Sequence, residues 1–65
     1  METFYYCLKY PGRDDVEETG FESYDDAYDA MTEAMTDMVD EIAKIHPEMT
    51  DEEIEGMIDW EVRPE

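Results

Sequence analysis

Asp25, Asp29, Glu33, Asp37 and Glu41 recur every four residues through the longest amphipathic stretch of the chain. On an α-helix that interval sets carboxylates about 6 Å apart along the axis, opposite the apolar stripe. Like charges at i,i+4 each cost a helix about 0.2–0.5 kcal/mol, so the four successive pairs cost about 1–2 kcal/mol. That is a sizeable share of a small domain's stability. A surface helix that needs only solubility mixes Lys among its acids. Here the one base between Asp14 and Glu61 is Lys44. Such a ladder makes and breaks no bonds. It presents a line of negative charge approaching that of a nucleic-acid strand, whose phosphates rise about 3.4 Å per nucleotide. Asp26 and Asp40 flank the ladder, and Glu52, Glu55, Asp59 and Glu61 are candidates for a second row.

Other side chains with chemical potential lack the company that chemistry needs. Cys7 lies in an apolar run with no adjacent base, so it reads as a small buried hydrophobe rather than a nucleophile. His46 beside Pro47 has no partner nucleophile or further ligands and reads as a helix-end residue. Asp15 to Asp26 carries acids at three positions of a calcium loop and Gly20 at its turn position. However, Thr19 and Glu22 sit where that loop wants other residues and no helix precedes it. A turn followed by a helix cap explains the same letters. A carboxylate pair of glycosidase type would need a cleft that this chain is too short to build. Met31, Met35 and Met38 fall at helical spacing and are expected to pack in a core or interface. No catalytic residue, metal site or cofactor is expected, and the chain is not expected to be an enzyme.

The composition bounds the rest. The chain has 65 residues, 4 Lys+Arg against 21 Asp+Glu, and a formal net charge of -17. That length holds one domain, residues 1–65, with a small core. Direct binding to nucleic acid is excluded as an expectation, because it depends on cations that neutralise phosphates. Anionic membrane surfaces are excluded for the same reason. No run approaches the ~18 apolar residues of a membrane span, and no basic stretch follows Met1 to suggest a signal peptide. A single cysteine suits a reducing compartment, so the expected location is the cytoplasm. High charge alone would suggest disorder, but 42% hydrophobic and 12% aromatic residues can furnish a core.

The elements follow from pattern. Residues 3–10 are rich in aromatics and read as a strand, with Phe4, Tyr6, Leu8 and Tyr10 on one side and Tyr5, Cys7 and Lys9 on the other. Pro11-Gly12 turns the chain, and residues 14–19 give a weak second strand. Residues 24–45 place Tyr24, Ala27, Met31, Ala34, Met38, Ile42 and Ile45 on one face, widened by Tyr28 and Met35. This is an amphipathic helix capped by Ser23 and stopped by Pro47. Thr50-Asp51-Glu52-Glu53 is a capping box that opens a short helix over 51–57. Residues 58–63 alternate, with Ile58, Trp60 and Val62 inward and Asp59, Glu61 and Arg63 outward, and Pro64 ends the strand. The expected fold is α+β in the order β-β-α-α-β. A small antiparallel sheet pairs the first and last strands, and the long helix packs on one face.

In size, charge and the ladder from Asp25 to Glu41, the chain resembles the small acidic DNA-mimic proteins, many of them encoded by phages or mobile elements. That class varies in fold, and the resemblance rests on size, charge and the ladder without a family motif. The resemblance implies a stoichiometric inhibitor that occupies the basic surface of a host nucleic-acid-binding protein or nuclease complex. Two other readings stand beside it. In one, an adaptor binds a host enzyme or polymerase through its sheet edge or an aromatic surface such as Tyr5 and Tyr10, and acidity serves solubility. In the other, the acidity is an adaptation to salt. A sheet covered on one face only also leaves room for a homodimer. Self-repulsion should make the fold salt-dependent. The urea midpoint should rise between about 0.1 M and about 1 M NaCl, where the Debye length falls from about 10 Å to about 3 Å. A flat midpoint would show that the charges do not oppose folding.

Overall fold

Aromatic residues suited to a pleated surface make Phe4–Lys9 a strand, β1, and it is the most buried of the three strands. It is the middle of a three-stranded antiparallel sheet ordered β2-β1-β3, with β2 at Val16–Phe21 and β3 at Asp59–Pro64. The computed structural model describes residues 2–65. The helices are α1, Tyr24–Ile45, and α2, Asp51–Met57. The fold is α+β in the order β-β-α-α-β.

Two glycines shape the sheet. Tyr10-Pro11-Gly12-Arg13 closes with the Arg13 N–H donating to the Tyr10 carbonyl at 3.1 Å, and Gly12 has φ +82. Pro then Gly at the two central positions is what a type II turn requires. Further on, Phe4 pairs with Phe21 but Tyr6 pairs with Glu18, so β2 holds one extra residue there. Gly20, at φ +88, supplies the left-handed step of that bulge. The bulge carries the strand on to Phe21, past the expected limit of 19. Glu65 ties the same end of the sheet. Its N–H donates to the Thr3 carbonyl at 2.8 Å, and its carboxylate accepts from the Thr3 hydroxyl and from the Gly20 N–H at 3.2 Å.

Both helices start as their caps dictate. Ser23 Oγ accepts from the Asp26 N–H at 3.1 Å. Thr50 and Glu53 form a reciprocal capping box. The core lies between the inner face of the sheet and the two helices. Leu8, Met31, Ile42 and Ile54 are fully buried, with Tyr6, Met38, Val39 and Ile58 around them.

Several side chains depart from the patterned expectation. Trp60 pairs opposite Leu8 on the inner face, yet it is 45% exposed because β3 is an edge strand with nothing beyond it. Tyr24, Tyr28 and Ile45 also lie largely outside the core, since the helix stripe is wider and longer than the sheet beneath it. Pro64 closes β3 from within rather than following it, a position open to proline on an edge strand. A Cβ at Gly20 meets no neighbour, so its cost is backbone strain alone. Gly20→Ala should therefore destabilise by about 1–2 kcal/mol, read from the urea midpoint. An unchanged midpoint would mean that the bulge relaxes freely.

Candidate functional site

The ladder of α1 is exposed throughout. Its path, however, is set by helix geometry. Four residues turn a helix about 40° beyond one full revolution, so an i,i+4 row slants around the axis. Relative to the buried residues Ala27, Met31, Met38, Val39 and Ile42, Asp25 and Glu41 end up on opposite flanks, about 70° and about 90° from the outward direction. Asp26, Asp29, Glu33 and Asp40 lie within about 30° of it, with Asp37 about 50° off. The outermost ridge of the helix is therefore Asp26, Asp29, Glu33, Asp37 and Asp40, and Lys44 stands at its end.

Glu41 is drawn out of the row. It accepts from Arg13 Nη2 at 2.8 Å, across from the β1–β2 turn. Asp37 and Glu41 border a cleft of about 610 Å³ whose opposite wall is Arg13, Asp14 and Asp15, and whose floor is Val16, Ala34 and Met38. On the other flank, Asp40 meets Asp51 and Glu55 of α2 around a groove of about 240 Å³ that also includes Met35 and Val39. Glu52 is exposed on α2. Asp59 and Glu61 lie apart from all of these. They stand opposite Lys9 and Cys7 on the outer, helix-free face of the sheet. There Glu61 accepts from Arg63 Nε at 3.0 Å and from the Tyr5 hydroxyl at 3.3 Å. The structure thus brings Asp40 beside Asp51 and Glu55 of α2 and sets the β3 acids on the outer face of the sheet.

Three side chains of β1 are shifted towards their protonated forms. Burial pushes the Tyr6 phenol up to about 12, aided by its hydrogen bond to Glu18 at 2.9 Å. Burial also raises Tyr5, with Glu61 adding to it. The Cys7 thiol is raised by burial and then by Asp15, against a smaller opposing effect of Lys9, which disfavours the nucleophilic thiolate. Residues 16–21 of the calcium-like stretch are strand β2, and Ser23 is the cap of α1. Among the described residues no group of three or more His, Cys, Asp or Glu is placed to hold a metal ion. Among the described residues no helix is long and apolar enough to cross a membrane.

No family model matches the chain, and neither a curated protein nor a solved structure matches it. The surface itself carries the functional argument.

That surface is acidic on every side: ridge, turn, α2 and outer sheet. The molecule is elongated, 45 × 19 × 15 Å. It also bears an aromatic strip that periodicity hid. Phe4, Tyr24, Tyr28 and Trp60 adjoin in sequence of contact along the seam of α1 and β3. The signal available in the sequence was the residue type, since Tyr and Trp suit half-exposed positions better than full burial.

The raised Tyr6 pKa means that the folded state holds the phenol proton more tightly than the unfolded chain does. That stabilisation is complete below about pH 10, the ordinary tyrosine value, and is lost as the pH rises towards the folded value. Wild-type stability should fall more steeply above pH 10 than that of Tyr6→Phe, measured by urea unfolding at stepped pH. Equal slopes would assign the alkaline loss to other groups.

Proposed function

We propose that this protein is a DNA-mimic inhibitor, which binds the basic nucleic-acid-binding surface of a target protein in competition with the nucleic acid. The observation that carries the reading is charge density. A net charge of -17 along a 45 Å axis is one negative charge per about 2.6 Å, against one per about 1.7 Å for duplex DNA. Lysines and arginines arrayed to meet phosphate rows would be attracted to such a rod by the same electrostatics. The ridge Asp26–Asp29–Glu33–Asp37–Asp40 supplies one row. Asp51 and Glu55 of α2 supply a neighbouring one, close to Asp40, and Glu52 is exposed on the same helix. The uncompensated repulsion along α1 is consistent with selection for charge rather than for stability. The target would be a basic protein of the host cell, and the action stoichiometric, without chemistry of its own.

The test is a tagged pull-down from host lysate, eluted in one arm by a salt gradient and in another by excess duplex DNA. A basic nucleic-acid-binding protein released by both is the expected result. Retention that ignores salt and DNA would overturn the reading. Reversal of two ladder charges, Asp29→Lys with Glu33→Lys, should move binding and stability in opposite directions. Affinity for the captured target should fall about tenfold or more, a loss of about 1.4 kcal/mol. The thermal midpoint should hold or rise, because Asp25 and Asp37 then each face a lysine instead of an acid four residues away. Unchanged affinity would clear the ladder of any role in binding.

A further inference from the structure

Tyr24, Tyr28 and Trp60 are 45%, 39% and 45% exposed in a domain with few apolar side chains to spare. They form a connected strip. Tyr24 stacks on Tyr28 with ring centroids 6.2 Å apart, Tyr28 meets Trp60 edge-on at 5.6 Å, and Phe4 abuts Tyr24 at 6.5 Å. Contacts within the strip fix the rings in place, so little side-chain freedom remains to be lost on binding. Tyrosine and tryptophan in this state are typical anchors of protein interfaces.

We infer that this strip anchors the partner by receiving its arginine side chains, an assignment that rests on the proposed function. Charge complementarity selects the occupant. Aromatic faces attract cations, and a guanidinium also stacks on them. Asp25 and Asp29 share the first turns of α1 with Tyr24 and Tyr28. Both arginines of the chain are occupied elsewhere, Arg13 on Glu41 and Arg63 on Glu61. Nucleobases also stack on aromatic rings, but their phosphates are repelled by the surrounding acids. A second copy of the chain meets the same repulsion.

Trp60 is the single tryptophan, so its emission reports on the strip directly. The experiment titrates the full chain with nona-arginine and, in parallel, nona-lysine at about 0.15 M salt. Trp60 emission should change saturably and more with arginine than with lysine. Anisotropy of labelled nona-arginine then compares variants that leave the net charge alone. Tyr28→Leu should weaken binding about three- to fivefold and Tyr28→Leu with Trp60→Leu about tenfold. Tyr28→Phe, which keeps the ring, should stay within about twofold of wild type. The salt dependence should not change. Folded Leu variants that bind like wild type would overturn the inference, as would a Trp60 signal that is silent to nona-arginine. A Trp60 signal produced by oligo-thymidine, or by raising the protein concentration alone, would overturn it in favour of nucleobases or of a second copy. The charge-reversed Asp29→Lys, Glu33→Lys protein separates the two readings. Binding lost there but kept in the Leu variants removes the strip and leaves mimicry standing. Binding kept in the charge-reversed protein removes the mimicry.

Discussion

Repulsion among 21 acidic side chains is the constraint to which the rest of this molecule is fitted. A 65-residue chain has a small core to set against it. That core centres on Leu8 of β1, Met31 and Ile42 of α1, and Ile54 of α2. Its members therefore link β1, α1 and α2, while β2 and β3 add only the partly buried Phe21 and Val62. The local devices are correspondingly complete: two helix caps, a Pro-Gly turn, a glycine bulge and a carboxylate tie at Glu65. Each relieves an unsatisfied backbone group or a strained dihedral without adding apolar surface. No buried polar side chain is left without a partner among the described residues.

The charges are dispersed by the same geometry that exposes them. An i,i+4 row drifts around a helix, so the ladder of α1 becomes a ridge with its two ends turned to opposite flanks. At one end Arg13 neutralises Glu41. The middle of the ridge is left uncompensated, close to the acids of α2. The sheet separates this assembly from Asp59 and Glu61, whose face is partly neutralised by Lys9 and Arg63. The helix side therefore carries the longest row of exposed acids without a paired cation among the described residues.

The aromatic strip alters what such a surface can do. Charge supplies long-range attraction and a fast, salt-sensitive encounter. It discriminates poorly among basic partners. Ordered rings at the seam of α1 and β3 add short-range contacts that depend on shape. An acidic rod with an aromatic seam can therefore be attracted broadly and held selectively.

Much of the architecture was legible in the sequence because its signals are local. Ser23 and the Thr50–Glu53 box marked both helix starts, Pro11-Gly12 marked the turn, and the alternations around Tyr6 and Trp60 marked the paired strands. Net charge and the four-residue spacing of the ladder were equally plain. What a sequence pattern assigns is a direction, towards or away from a neighbour, and it holds only where a neighbour exists. Trp60 points inward at an edge where the layer above runs out, and Tyr24, Tyr28 and Ile45 sit on a stripe longer than its sheet. The extension of β2 to Phe21 depended on a bulge that forms only against β1. The grouping of Asp40 with Asp51 and Glu55, the pairing of Glu41 with Arg13, and the isolation of Asp59 and Glu61 are distances between elements. Residue types and periodicity determined the elements and the total charge. Only tertiary packing decided which charges and which rings became one surface, because proximity between segments remote in the chain is not encoded in the spacing within either.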